Sequence, residues 1–353
     1  FEVDVSRIGF GFNDSREAND SGCKWFPYNK GGDSRRWYGN QEFVINYRND
    51  GEEIREFHEI LNQTSPGGRL KNQDCYFRCQ LSWSKISWSF AVRYFPSGFI
   101  FDVAGSALFP ERDSELEALG AMLNSRVSDY YLKALSPTLN YEAEHLRKLP
   151  YIEVSKTYFN ELIDIAKTDW DSYETSWGFT DFALLKHGKH PSTMKAAYQA
   201  LSAYWSEQIV KMQQLEQENN RVFIDAYGLR EELTAEVRVD EITLTCNARY
   251  RYDSENSKEK LSVLILSDTV CELISYSVGC IMGRYSLDRK GLVYAKSSKE
   301  CFAKLVSEGA YKTFPADDDG IIPLTDQEWF PDDATNRFRE FVKIVWGEAH
   351  LQE

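Results

Sequence analysis

Histidine is scarce, with five residues in a chain of 353. The seven cysteines (Cys23, Cys75, Cys79, Cys246, Cys271, Cys280 and Cys301) form no Cys-x-x-Cys pair, and the histidines do not cluster near them. That spacing excludes the common zinc sites, and no metal ligand is expected. An odd, scattered set reads as reduced thiols, so a cytoplasmic protein is expected. No apolar run reaches the roughly 18 residues that span a bilayer, so no membrane partner is expected. The opening Phe1-Glu2-Val3-Asp4 has no Met, no basic region and no apolar signal core. It reads as the start of a piece of a longer protein, with catalytic parts expected outside it.

Catalytic signatures are also missing. There is no P-loop, and Gly9-Phe10-Gly11 lacks the third glycine of a dinucleotide turn. Gly-x-Ser-x-Gly, His-Glu-x-x-His and the Asn/Asp-Pro-Pro-Tyr/Phe grip for a flipped adenine do not occur. Asp317-Asp318-Asp319 reads as an acidic surface loop. Pro331-Asp332-Asp333 is followed by no Asp/Glu-x-Lys strand, which discounts a nuclease. No catalytic residue is assigned. The 55 acids against 41 lysines and arginines give a net charge of -14, which argues against a nonspecific polyanion binder.

The chain has what globular cores need, with 42% hydrophobic and 14% aromatic residues. The fold expected is α+β, in three segments. Residues 1–155 read as mixed and β-rich, with strands over 43–47, 74–81, 86–94 and 98–103 and a helix over 52–62. Leu116, Leu119, Met122, Leu123, Val127, Tyr130 and Tyr131 predict one helix from Ser114 to Ser136. Residues 156–230 read as helical. A long helix from Ser192 to about Asp225 carries a heptad seam of Leu201, Trp205, Gln208, Met212, Leu215, Asn219 and Val222. The seam suits packing on its own domain better than an intermolecular coiled coil. Residues 231–353 read as an acidic, mostly helical domain. There, 263–266 is a strand or helix, 270–282 a buried helix and 334–346 a final amphipathic helix.

One segment departs from the acidic average: Lys24-Trp25-Phe26-Pro27-Tyr28-Asn29-Lys30-Gly31-Gly32-Asp33-Ser34-Arg35-Arg36-Trp37-Tyr38-Gly39-Asn40. Its four cations face only Asp33, and aromatic rings interleave with them. Phosphates favour Lys and Arg, unstacked bases favour rings, and Gly31-Gly32 permits a close backbone approach. Residues 69–93 repeat the bias, with Arg69, Lys71, Arg78, Lys85 and Arg93 against Asp74 alone, and with Trp83-Ser84-Lys85 and Trp88 among them. For Trp37 and Trp83 the competing assignment is core packing.

The 24–40 segment resembles a stretch in the C-terminal half of PglX, the adenine-specific DNA methyltransferase family of BREX phage-defence systems. Leu81-Ser82-Trp83-Ser84-Lys85-Ile86, Arg93-Tyr94-Phe95-Pro96-Ser97-Gly98-Phe99-Ile100-Phe101-Asp102 and Leu123-Asn124-Ser125 are similar in turn. Pro137-Thr138-Leu139-Asn140 with Leu149-Pro150 resembles the end of that family's recognition module. Asp169-Trp170-Asp171-Ser172-Tyr173-Glu174-Thr175-Ser176-Trp177 and Val278-Gly279-Cys280-Ile281-Met282-Gly283-Arg284-Tyr285 extend the resemblance through the rest of the chain, in order.

The resemblance implies a DNA target-recognition domain over 1–155, a spacer over 156–230 and a C-terminal domain over 231–353. It implies double-stranded DNA as partner. S-adenosylmethionine would bind in a separate N-terminal domain, leaving this chain alone inactive. By the same implication Lys24, Lys30, Arg35 and Arg36 contact phosphate. Tyr28, Asn29, Gly31, Gly32, Trp37 and Tyr38 form the loop or stack, and Trp83, Ser84, Lys85 and Arg93 lie near base edges or backbone. The alternative is a protein-interaction module docking other subunits of a defence complex.

Overall fold

The computed structural model describes residues 5–65, 70–136, 138–187, 193–252, 254–295, 299–327 and 329–351. Arg69, Pro137 and Ser192 therefore lie outside the described residues. The structure is α+β, with short sheets and long helices. It divides into two compact units: Phe1–Trp170 with Val210–Leu244, and Asp171–Ile209 with Thr245–Glu353.

In the first unit, α1 (Ser15–Asp20) is capped by Asp14, whose carboxylate accepts from the Arg16 and Glu17 amides. β1 (Trp25–Asn29) then lies between β2 (Phe43–Asn46), which is antiparallel to it, and β5 (Ile100–Phe101), which is parallel. The inner face of this sheet is an aromatic cluster of Phe26, Tyr47, Tyr76 and Phe77, with Phe26 edge-on to Phe77 at 5.4 Å. Such pairs favour the ring quadrupole over a flat sandwich. α2 (Arg48–Thr64) follows, and its regular turns begin only after Asn49, Asp50 and Gly51, all at positive φ.

The second sheet is antiparallel, with β3 (Gln80–Ser84) between β4 (Val92–Phe95) and β6 (Gly105–Leu108). Every residue of β3 is buried. The expected strand over 86–94 is thus shortened to its end: 86–89 is a loop with Ile86 and Trp88 exposed, Phe90 turns back into the core, and the strand begins at Val92. The 74–81 strand likewise forms only at Gln80, after a 3-10 turn at Gln73–Cys75.

The single helix expected from Ser114 is two, α3 (Leu116–Leu123) and α4 (Arg126–Leu135). The break has a specific cause. Asn124 leaves the helix to accept from the Val92 amide at 2.9 Å and to donate to the Val92 carbonyl at 3.0 Å. α5 (Ala143–Leu146) and α6 (Phe159–Trp170) complete this stretch, with the Phe159 ring lying over Gly120 of α3.

The second unit holds α7 (Ala183–His187) and the first half of α8 (Met194–Ala226), whose residues from Val210 belong to the first unit. Of the seam, Leu201, Trp205, Met212 and Asn219 are buried within the chain. α9 (Ala248–Arg251), α10 (Lys258–Ile281), α11 (Lys299–Ser307) and α12 (Ala334–Trp346) follow. Tyr276 stacks on Tyr285 at 5.2 Å and on Phe182 at 5.5 Å, and meets Phe341 edge-on. Asp333 caps α12 by accepting from the Thr335 amide, a structural use of the Pro331-Asp332-Asp333 run.

Residues 263–266 are helical, inside α10. The expectation that 270–282 is buried holds for one face only. Leu261, Ile265, Leu273, Tyr276 and Cys280 point inward, while Val263, Leu266, Val270, Ile274 and Val278 form an exposed row. By length and composition alone α10 is apolar enough to cross a membrane, and a third of that stretch is buried in the fold.

The Asn124–Val92 pair gives a first prediction. Asn124→Ala leaves the buried Val92 amide without its acceptor and should lower the unfolding free energy by about 1–3 kcal/mol. Urea unfolding followed by near-UV circular dichroism measures it; an unchanged midpoint would contradict the assignment.

Candidate nucleic-acid interface

The basic aromatic segment splits into three parts. The first is β1. Lys24 is half-exposed, pairs with Glu53 at 3.3 Å and lies over the Trp25 ring. Tyr28 donates its hydroxyl to Asp102, and burial together with that carboxylate pushes its phenol far above the usual range. Asn29 is fully buried and donates to Ser82 Oγ at 2.7 Å.

The second part, 30–34, is a surface loop. Lys30 is exposed, 5.0 Å from the Phe43 ring centroid. Gly31 sits at φ +83° with the Ala104 carbonyl where a Cβ would be, 2.7 Å away. Only glycine fits there. Gly32 is exposed, and its carbonyl accepts from Ser84 Oγ at 2.6 Å.

The third part, 35–41, is core. Arg35 is buried, with Asp169 at 3.4 Å and its guanidinium over the Trp170 ring. Arg36 donates to Glu216 Oε2 at 2.9 Å, and the Trp37 indole donates to Glu216 Oε1 at 2.7 Å. Trp37 is fully buried at φ +70°, clipped to β4 through the Val92 carbonyl and the Tyr94 amide. Tyr38 is buried, with the Lys167 ammonium over its ring. Burial pushes the Glu216 carboxyl up from the ordinary range, and the Arg36 charge and the indole donor pull it back.

These positions correct the expected roles. Arg35 cannot meet a phosphate from the core, and Arg36 is mostly enclosed by its bond to Glu216. Trp37 and Tyr38 cannot stack on bases. Arg93, expected near bases, is fully buried and donates to the carbonyls of Asp33 and Arg35 and to Ser84 Oγ. Trp83 is buried and donates to the Tyr141 carbonyl at 2.7 Å. Core packing, the competing assignment, holds for both tryptophans.

What remains outside is one cluster of loops. Ser34 Oγ lies 2.6 Å from Ser89 Oγ, and the Lys85 amide donates to Ala104. The Ser87 amide donates to Leu139, and the Tyr141 amide to Lys85. Loops 30–34, 85–90 and 102–105 and the segment 138–142 are therefore stitched together. They present Lys30 and Lys85, the latter paired with Glu142 at 3.0 Å. They also present Ile86 at 69% exposure, Trp88 at 87%, Val103 at 69% and Leu139 at 41%. Trp88 stands among the rings of the basic stretch, but the exposure of Ile86, Trp88 and Val103 is not legible there because 86–94 and 98–103 read as strand. The available signal was Ser87-Trp88-Ser89, where polar neighbours flank a single ring.

The β2–α2 connection does not have the form of a site for the cofactor that the resemblance implies. β2 does pass into α2 through 47–51, but it is an antiparallel edge strand, and Gly51 is packed on the Tyr47 ring. That is not the parallel strand, glycine-rich turn and helix that hold an adenosine cofactor.

The Glu216 clasp is testable. Glu216→Ala leaves Arg36 and the Trp37 indole without their acceptor and should cost about 3 kcal/mol or more of stability. Glu216→Gln keeps an acceptor for the indole and should cost less. Equal stability of all three forms in thermal unfolding would refute the clasp.

No protein-family model matches the chain. Among curated proteins, it is 44% identical over 335 residues to the adenine-specific methyltransferase BrxX of Escherichia coli O9:H4 (strain HS), covering 94% of this chain and 27% of that protein. It is 35% identical over 343 residues to the adenine-specific methyltransferase PglX of Lacticaseibacillus casei (strain Zhang), covering 93% of this chain and 26% of that protein. The chain spans about a quarter of the length of these relatives. The resemblance read from the sequence motifs is borne out: the chain is a homologue of one segment of the BrxX and PglX adenine-specific methyltransferases.

Proposed function

We propose that this chain is the DNA target-recognition part of a cytoplasmic, site-specific adenine-N6 methyltransferase of the BREX type. S-adenosylmethionine and the catalytic residues would belong to a different part of the family protein. The observation that carries this reading is the loop cluster around Lys30, Lys85 and Trp88, held on a rigid scaffold. Recognition residues are characteristically loop residues on such scaffolds. Cations that reach phosphate set register, and neighbouring side chains reach the bases. The acidic remainder of the chain disfavours nonspecific wrapping and leaves one local face for docking.

Fluorescence anisotropy of labelled duplex DNA against salt tests it. Binding should weaken as salt rises, and Lys30→Ala/Lys85→Ala should reduce the logarithmic salt slope by about 2. Binding that ignores salt, or a double variant identical to wild type, would refute the assignment. A methyl-transfer assay on this chain alone should give no turnover.

A second reading has its own observation. The exposed row on α10 supports a protein-docking role for the 231–353 region, toward other subunits of a defence complex. Apolar association of that kind is insensitive to moderate salt. Ile274→Asp should abolish association with such a subunit in sedimentation velocity at both low and moderate salt. Retained association would remove α10 from the interface.

A further inference from the structure

We propose that Trp88, with Ile86 beside it, is a wedge that enters the base stack of bound duplex DNA. This rests on the DNA-recognition reading above and assigns a specific act to its loop cluster.

The first ground is exposure. Large aromatic side chains are rarely left in water, and Trp88 is 87% exposed. It is not isolated: Ile86, Val103 and Leu139 are exposed on the loops joined to its own. The second ground is rigidity. The loop that carries Trp88 is fastened on both sides. Ile86 bridges Asn140, the Ser87 amide donates to Leu139, and Ser89 meets Ser34. In the strand that leads into it, the Trp83 indole is anchored on the Tyr141 carbonyl. A loop so braced presents its ring without a large backbone ordering cost on binding.

The third ground is what surrounds the ring. Lys85 opens the loop that carries the ring and Lys30 sits on the neighbouring 30–34 loop, with Asp33, Asp102 and Glu142 on the joined loops, and Ser87 and Ser89 flank the indole in sequence. Lys85 exchanges its Glu142 partner for phosphate at modest cost, because that pair is partly open to solvent. Cations on the loops around an apolar tip match a duplex, in which phosphates lie outside and the apolar stack lies within. Side chains of this kind unstack one base step and kink the helix. In an enzyme family that acts on adenine, loosening one step also lowers the cost of taking a base out of the duplex.

The test uses the full chain, a duplex enriched on it from a randomised pool, and Trp88→Ala and Trp88→Phe. Thymine oxidation by permanganate reports unstacking, and anisotropy reports binding. Wild type should make thymines within the bound site reactive. Trp88→Ala should abolish that reactivity and weaken binding about tenfold to a hundredfold, the worth of one stacked base. Trp88→Phe should keep part of both. Trp88 supports no buried contact, so circular dichroism of the variants should match wild type. Bound DNA that stays unreactive with wild type, or reactivity that persists in Trp88→Ala, would overturn the wedge and leave DNA recognition standing. Failure of wild type to enrich or bind any duplex at low salt would overturn both.

Discussion

A carboxylate with no access to water, Glu216, is the constraint on which the first unit depends. A buried charge is tolerable only when donors surround it, and Glu216 meets two, the Arg36 guanidinium and the Trp37 indole. Satisfying it draws the 35–37 strap inward against α8. The same strap is clipped to β4 through Trp37, and its carbonyl at Arg35 accepts from Arg93. One charged helix residue thus fixes a strand edge, a strap and the root of the 30–34 loop. The surface loops inherit their positions from that interior.

The interior is unusual in being polar on one side of a fully buried strand. Along β3, Leu81 and Trp83 alternate with Gln80, Ser82 and Ser84. Ser82 and Ser84 meet Asn29, Arg93 and the Gly32 carbonyl. Polar networks of this kind specify a single arrangement because any slip leaves a group without its partner. They also explain why glycine is required at Gly105, where a Cβ would strike Asn29.

That polar layer is also why the sequence misleads at the site and succeeds elsewhere. α12 and the regular part of α2 follow the helical period and end where capping and turn residues stand. The α+β class and the family resemblance were legible for similar reasons: long runs of consistent pattern. Arg35, Arg36 and Arg93 read as a basic surface because charge is ordinarily exposed. Their burial depends on Asp169, Glu216 and carbonyls far away in the chain, which no local window contains. Asn124 breaks a helix for a partner 32 residues earlier. The exposure of Trp88 was hidden by the opposite error, since a β-favouring window cannot show that the strand begins at Val92. Alternation of polar and apolar residues marks two faces of a strand, and it does not say which face meets water.

Amide hydrogen exchange of the chain with and without duplex DNA tests the central claim most directly. The account predicts new protection in 30–34, 85–90, 102–105 and 138–142, with the 35–41 strap slow to exchange in both states and unchanged. Protection confined to the second unit, or a strap that exchanges freely until DNA is added, would contradict it.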